Sequence, residues 1–217
     1  MAGEINKRWE KGKYASLFFY RHKLQWKEEQ FNHKFPLAMY FKPMIGDKKN
    51  VSILDVGAGM FNTVGCLWHN VDIQVTCCDI LADEYKKILD EYKIEPIHLI
   101  EKQDMEDLTY EDKSFDIVHC VNALDHCIKP EKAIREMYRV CRKGGWIYLR
   151  HGLNMGKERH YTGLHQWDIQ PVEDGSCEFI GNDTVFLLND IIPGFKTELK
   201  QEVGNEPPMV VSILNKV

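Results

Sequence analysis

Asp55, Gly57 and Gly59 close a short apolar run, Val51-Ser52-Ile53-Leu54-Asp55-Val56-Gly57-Ala58-Gly59. An acid followed by two alternate glycines ends a buried strand at a tight turn, and without Cβ atoms at Gly57 and Gly59 the backbone can approach a ligand closely. A third glycine would complete a dinucleotide fingerprint at position 62, where Asn62 stands instead. Asp79, in Cys78-Asp79-Ile80, follows about twenty residues past the turn, where a carboxylate accepts hydrogen bonds from both hydroxyls of a ribose. Asp104-Met105 offers a carboxylate for an adenine amine and a backbone N–H for a ring nitrogen. Further on, Val121-Asn122-Ala123-Leu124-Asp125-His126 sets an acid beside a histidine, the side chain best suited to proton transfer near neutral pH. His151 and the run 154–167 hold the densest polar-aromatic cluster, with Asn154, His160, Tyr161, His165, Gln166 and Trp167. Aromatic faces with amide and imidazole groups suit a hydroxyl-rich or heterocyclic ligand.

These residues need strand ends to converge. From Val51 the chain alternates strand-like and helix-like runs, with strands expected at 51–56, 72–78, 97–100, 115–121 and 145–151 and helices at about 61–69, 82–92 and 131–143. Such alternation implies right-handed βαβ crossovers and a mostly parallel sheet, whose ligands sit beyond the carboxyl ends of the strands. The last helix carries Ile134, Met137, Tyr138 and Cys141 on one side and stops at Gly144-Gly145. Residues 154–175 read as polar and irregular. Phe195–Val203 and Met209–Val217 read as a hairpin turned at 204–208. Upstream, residues 1–35 mix basic and aromatic side chains, with Leu17, Tyr20, Leu24 and Phe31 at helical spacing, and Pro36 opens a further helix that ends near Gly46.

Residues 50–151 resemble class I S-adenosylmethionine-dependent methyltransferases. The resemblance rests on the glycine turn, the Asp104 segment, Phe115-Asp116-Ile117-Val118, Leu124-Asp125-His126 and the Pro130 helix closing at Gly144-Gly145. It implies an α/β, Rossmann-like fold: a mostly parallel seven-stranded sheet with a C-terminal antiparallel hairpin and an N-terminal helical cap. The domains would be a cap at 1–48 and a cofactor-binding domain at 49–217, with a substrate-facing insert at about 154–175. It also implies S-adenosyl-L-methionine as cofactor, held by Asp55, Gly57, Gly59, Asp79, Ile80, Asp104, Met105, Val121 and Asn122. Phe61 departs from the glycine that many members carry there. Gly163-Leu164-His165-Gln166-Trp167 looks like a segment of bacterial members linked to surface-glycan assembly. On this reading the acceptor is a small polar molecule, methylated at oxygen rather than nitrogen. His126, His165 and Asp125 are the catalytic candidates, and His151, Asn154, Tyr161, Gln166 and Trp167 the acceptor-binding ones. A hydroxyl needs its proton removed, whereas an amine need only arrive unprotonated.

The chain has 217 residues, 44% of them hydrophobic, enough for one α/β domain with a small cap. A formal net charge of −5 argues against a general nucleic-acid binder, although the basic-aromatic N-terminus keeps an RNA or nucleotide methyltransferase as runner-up. A non-catalytic cofactor-binding module is the rival from another class. No apolar run approaches the roughly 18–20 residues of a membrane span, and residues 1–8 lack the apolar core of a signal peptide. The expectation is therefore a cytoplasmic protein with no membrane partner. The seven cysteines form no Cys-x-x-Cys pair, which favours buried thiols over disulfides or zinc, and no metal is assigned.

Overall fold

The computed structural model describes residues 2–27, 34–181, 183–201 and 208–217, with the side chains of 9–22 in the first helix. Leu24 and Phe31 of the expected amphipathic pattern, and all of the 204–208 turn except Pro208, lie outside the residues so described. The chain opens with helix α1 (Ala2–Lys27), followed by a short 3-10 turn (Met39–Phe41) that runs into α2 (Lys42–Ile45). Strands β1 (Asn50–Val56), β2 (Asp72–Asp79), β3 (Ile100–Lys102), β4 (Phe115–Val121), β5 (Cys141–Gly152), β9 (Lys196–Lys200) and β10 (Met209–Asn215) make one sheet in the order β3-β2-β1-β4-β5-β10-β9. Its first five strands are parallel, and β10 turns antiparallel against both β5 and β9. This is the expected seven-stranded fold with its C-terminal hairpin.

Strand parity sorts the core into two layers. Successive side chains of a strand point to opposite faces. In β1, Val51 and Ile53 therefore pack with Leu37, Phe41, Ile45, Tyr148 and Val211, while Leu54 and Val56 pack with Ile134, Met137, Leu149 and Phe179. The second layer is covered by α4 (Pro130–Val140), whose Ala133, Ile134, Met137 and Val140 are all buried. Helix α3 (Ala82–Tyr92) buries Tyr85, Ile88 and Leu89 in a third cluster, against which Trp9, Leu17 and Tyr20 of α1 pack.

Three local expectations fail for identifiable reasons. No helix forms over 61–69. Asn62 folds its side chain onto its own turn, accepting from the Val64 N–H at 2.8 Å and donating to the Gly65 carbonyl at 3.2 Å, a local arrangement that competes with helix. The segment then pairs with the incoming chain through the Pro36–Leu67 bridge. Helix α4 stops at Val140, earlier than expected, because Cys141 goes extended and pairs with Phe115 of the neighbouring strand. The region after Leu153 is less irregular than it reads: after α5 (Met155–Glu158) it builds a second antiparallel sheet from β6 (Asp168–Pro171), β7 (Cys177–Ile180) and β8 (Val185–Leu187), followed by α6 (Leu188–Ile191). Strands of three or four residues are too short to show alternation above chance. No helix among the described residues is long and apolar enough to cross a membrane.

Candidate active site

A cavity of about 310 Å³ opens beyond the carboxyl ends of β1, β2, β3 and β4. Gly57 comes from the first strand end, Asp79, Ile80 and Leu81 from the second, Asp104, Met105 and Glu106 from the third, and Asn122, Ala123 and His126 from the fourth. Trp9, Ser16 and Tyr20 of α1 line the cavity from the N-terminal side together with Leu164. The helix lies directly on the 163–164 loop at Gly12, where an added Cβ would meet the Gly163 backbone at 2.7 Å. The aromatics of α1 thus divide: Trp9 and Tyr20 turn toward the cavity, while Tyr14 and Phe18 are exposed.

Asp79 organises the β2 end. Its Oδ2 accepts from the Gly59 N–H at 3.0 Å and its Oδ1 from the Leu81 N–H at 2.9 Å, so one carboxylate ties the glycine turn to the start of α3. Burial pushes its pKa up to about 6, against those two backbone donors, which lower it. The Tyr20 phenol lies over Gly59. Asp104 braces its own turn by accepting from the Glu106 N–H at 2.9 Å, and Glu106 accepts from the Ile128 and Lys129 N–H groups, both at 2.8 Å. Asn122 takes the left-handed conformation, φ 50°, and its side-chain oxygen accepts from the Gly152 N–H at 3.1 Å.

Asp55 is placed elsewhere. By strand parity it shares a face with Ile53, points away from the cavity, and bonds His119 Nδ1 at 2.7 Å, while His119 Nε2 meets the Tyr40 hydroxyl at 2.9 Å. This buried chain braces the strand that ends in the glycine turn. Val121 likewise packs in the layer of Ile53 and Tyr148 and does not line the cavity.

At the β4 end, Leu124–His126 forms a single 3-10 turn. The turn is laced to residues 166–167: the Gln166 N–H donates to the Asp125 carbonyl at 2.8 Å, Gln166 Nε2 to the His126 carbonyl at 3.2 Å, and Trp167 Nε1 to the Cys127 carbonyl at 3.0 Å. The lacing brings His165 Nδ1 to 2.6 Å from Asp125 Oδ2, across 40 residues of sequence. His126 Nε2 lies 3.6 Å from the same oxygen, and the two imidazole rings meet edge to face at 4.7 Å. Burial pushes the Asp125 carboxyl up, but the neighbouring His126 and the His165 hydrogen bond outweigh it and hold the group down at about 2. His151 is buried beside this cluster, with both ring nitrogens unpartnered among the described residues, and burial lowers its pKa to about 4.

The remaining residues singled out after β5 serve the scaffold and do not line the cavity. Trp167 is buried and packs edge to face on Phe186; the Tyr161 hydroxyl donates to Asp168 Oδ2 at 2.6 Å; Asn154 donates to Gln170 at 3.1 Å. The insert instead contributes Leu164 to the cavity wall and His165 to Asp125. Trp9, Ser16, Tyr85 and Leu164 also line the cavity without an individual assignment from sequence: the first two fall in the expected N-terminal cap, Leu164 in the expected insert, and Tyr85 carries only helical spacing.

A branched residue at position 57 would press on two side chains of the cavity wall. The Gly57 φ is +68°, and an added Cβ would overlap the Ala123 side chain and approach Met105 Cε at 3.0 Å. We expect Gly57→Val to abolish ligand binding by calorimetry while the far-ultraviolet circular dichroism stays native. A variant that failed to fold would make the turn a purely structural device.

Residues 54–149 match a family model described as a methyltransferase domain. A "Sterol methyltransferase-like 3" from Botryococcus braunii is 30% identical over 154 residues, 64% of this chain and 39% of that one. A "Phosphatidylethanolamine N-methyltransferase" from Cereibacter sphaeroides is 32% identical over 45% of this chain and 48% of its own length. The chain therefore spans less than half of these relatives. A SAM-dependent methyltransferase structure from Methanosarcina mazei shares the fold, with TM-score 0.53 and 17% identity over 84% of this chain and 99% of that one.

Proposed function

We propose that this chain, whose residues 54–149 form a class I S-adenosylmethionine-dependent methyltransferase domain, methylates an oxygen of a small polar acceptor such as a sugar or related polyhydroxy metabolite. Charge carries the cofactor reading. The described residues on the cavity wall include the carboxylates Asp79, Asp104 and Glu106 and no Lys or Arg. Such a wall suits a sulfonium and opposes the two negative charges of a pyrophosphate. The missing helix after β1 removes the N-terminal dipole on which dinucleotide folds seat that pyrophosphate.

Asp79 and Ile80 would hold the ribose, Asp104 and Met105 the adenine, and the Gly57 turn with Asn122 the methionine end. When bound, the cofactor supplies a methyl group on a good leaving group. The protein then has to align the acceptor, exclude water beneath α1 and receive the hydroxyl proton. His126 lines the β4 end of the cavity and would take that proton, with Asp125 and His165 positioning it from behind and His151 buried beside them. The acid-histidine cluster is the observation that favours oxygen over nitrogen, since an amine needs no such help.

The decisive experiment offers methyl-labelled S-adenosylmethionine with polyhydroxy acceptors and with amines. Ether products are expected. Label appearing only on amines would overturn the oxygen assignment.

Ionised Asp79 accepts from ribose hydroxyls and protonated Asp79 does not. Its pKa is raised to about 6, so affinity for S-adenosylhomocysteine should be highest above that value and fall as pH drops through it, by up to about tenfold per unit. Calorimetry between pH 5 and 8 tests this, with Asp79→Asn expected to be weak and flat. A flat wild-type profile would remove Asp79 from the ribose site.

A further inference from the structure

We infer that Asp125, His126 and His165 form a binding site for one divalent transition-metal ion, and that the acceptor is a molecule with two adjacent oxygens able to chelate it. The inference rests on the proposed function and revises one part of it: with an ion bound, the three side chains would be its ligands, and the ion would acidify the coordinated hydroxyl in place of a free imidazole base. Each of the three side chains offers one donor atom, and the three donors lie within 4.8 Å of one another. Two imidazoles and a carboxylate are the donor set of facial sites for ions such as Zn²⁺, Co²⁺ and Fe²⁺, which leave coordination positions open.

Two observations favour a ligand site over a closed hydrogen-bonded cluster. His126 Nε2 is buried and has no hydrogen-bond partner among the described residues, although it faces the Asp125 carboxylate. Asp125 is 2% exposed and faces two partly buried imidazoles, with no Lys or Arg within ion-pair distance among the described residues. A buried imidazole nitrogen that faces a carboxylate without a hydrogen bond is an arrangement that a shared cation would satisfy. The donors are also held in advance. Gln166 and Trp167 fix the turn that carries Asp125 and His126 to the segment that carries His165.

His126 lines the cavity, so the open positions of a bound ion would face the acceptor. An ion there can hold two adjacent oxygens, as in a catechol, an α-hydroxy acid or a vicinal diol, and present one of them to the cofactor. None of the seven cysteines belongs to this cluster, and six of the seven are buried.

The test titrates Co²⁺ into the full chain and follows its visible absorption. One equivalent should bind, and 4-nitrocatechol should then change the cobalt spectrum. Asp125→Asn and His165→Ala should each weaken binding by more than the roughly 10–100-fold that loss of an outer partner costs. Paramagnetic shifts of the His126 and His165 ring protons in the wild-type chain report the same ligands without any substitution. Cobalt that binds without those shifts, or equally well to both variants, would be adventitious and would overturn the site, as would no binding. Calorimetry with S-adenosylhomocysteine on the same samples separates the two readings: the variants should keep wild-type cofactor affinity, and loss of cofactor binding in the wild type would sink the proposed function without touching the metal result.

Discussion

Asp79→Ala is expected to weaken S-adenosylhomocysteine binding by about 10²–10⁴-fold. The substitution removes the acceptor for two ribose hydroxyls, and a hydrogen bond to a charged group is worth about 1.5–3 kcal/mol. It also leaves the Gly59 and Leu81 N–H groups without their present acceptor, so the glycine turn loses its tie to α3. Asp79→Asn separates the two effects, because the amide oxygen can still take one of those donors while the charge is gone. Calorimetry checks both variants, with thermal melts to confirm folding. An Asp79→Ala variant that bound within a few-fold of wild type would mean that the carboxylate serves only the turn, the capping role that its position before α3 also allows.

The second large effect belongs to the cluster at the β4 end. His165→Ala should lower turnover by about 10²–10⁴-fold at saturating acceptor, while cofactor affinity stays at the wild-type value. The separation follows from placement: His165 bonds Asp125 and does not line the cavity wall where Asp79 and Asp104 stand. Asp125→Asn should behave alike, because it keeps the shape of the turn and removes the charge that the histidines surround. Near-normal turnover in both variants would point to an acceptor that needs only alignment, as an amine does.

Much of this site is legible in the sequence because strand ends in an alternating α/β chain converge by topology. Gly57, Asp79, Ile80, Asp104, Met105, Asn122 and His126 all reach the cavity wall that their spacing suggested. Asp55 and Val121 show the limit of that logic. The residue before a glycine turn reads as part of the ligand site, but a period of two decides which face it serves, and Asp55 falls on the face of Ile53 and His119. The missing helix at 61–69 turned on one side chain, Asn62, whose local hydrogen bonds compete with a helical pattern that looks adequate. The cluster at 154–167 was visible as composition only. Composition does not reveal that Trp167 and Tyr161 spend their polar atoms on Cys127 and Asp168, or that a lacing across 40 residues delivers His165 to Asp125. The inner face of α1 is partly legible: Leu17 and Tyr20 at helical spacing pack against the α3 cluster, whereas nothing in the spacing shows that Trp9 turns inward while Tyr14 and Phe18 stay exposed.

The cofactor assignment underlies the proposed function, and one titration tests it most directly. Calorimetry of the wild-type chain with S-adenosylmethionine, S-adenosylhomocysteine and NAD compares the two charge types in the same cavity. The account predicts micromolar binding of the first two, a melting temperature raised by mass action, and no binding of NAD to a wall of three carboxylates. Tight NAD binding with none of S-adenosylmethionine would contradict it.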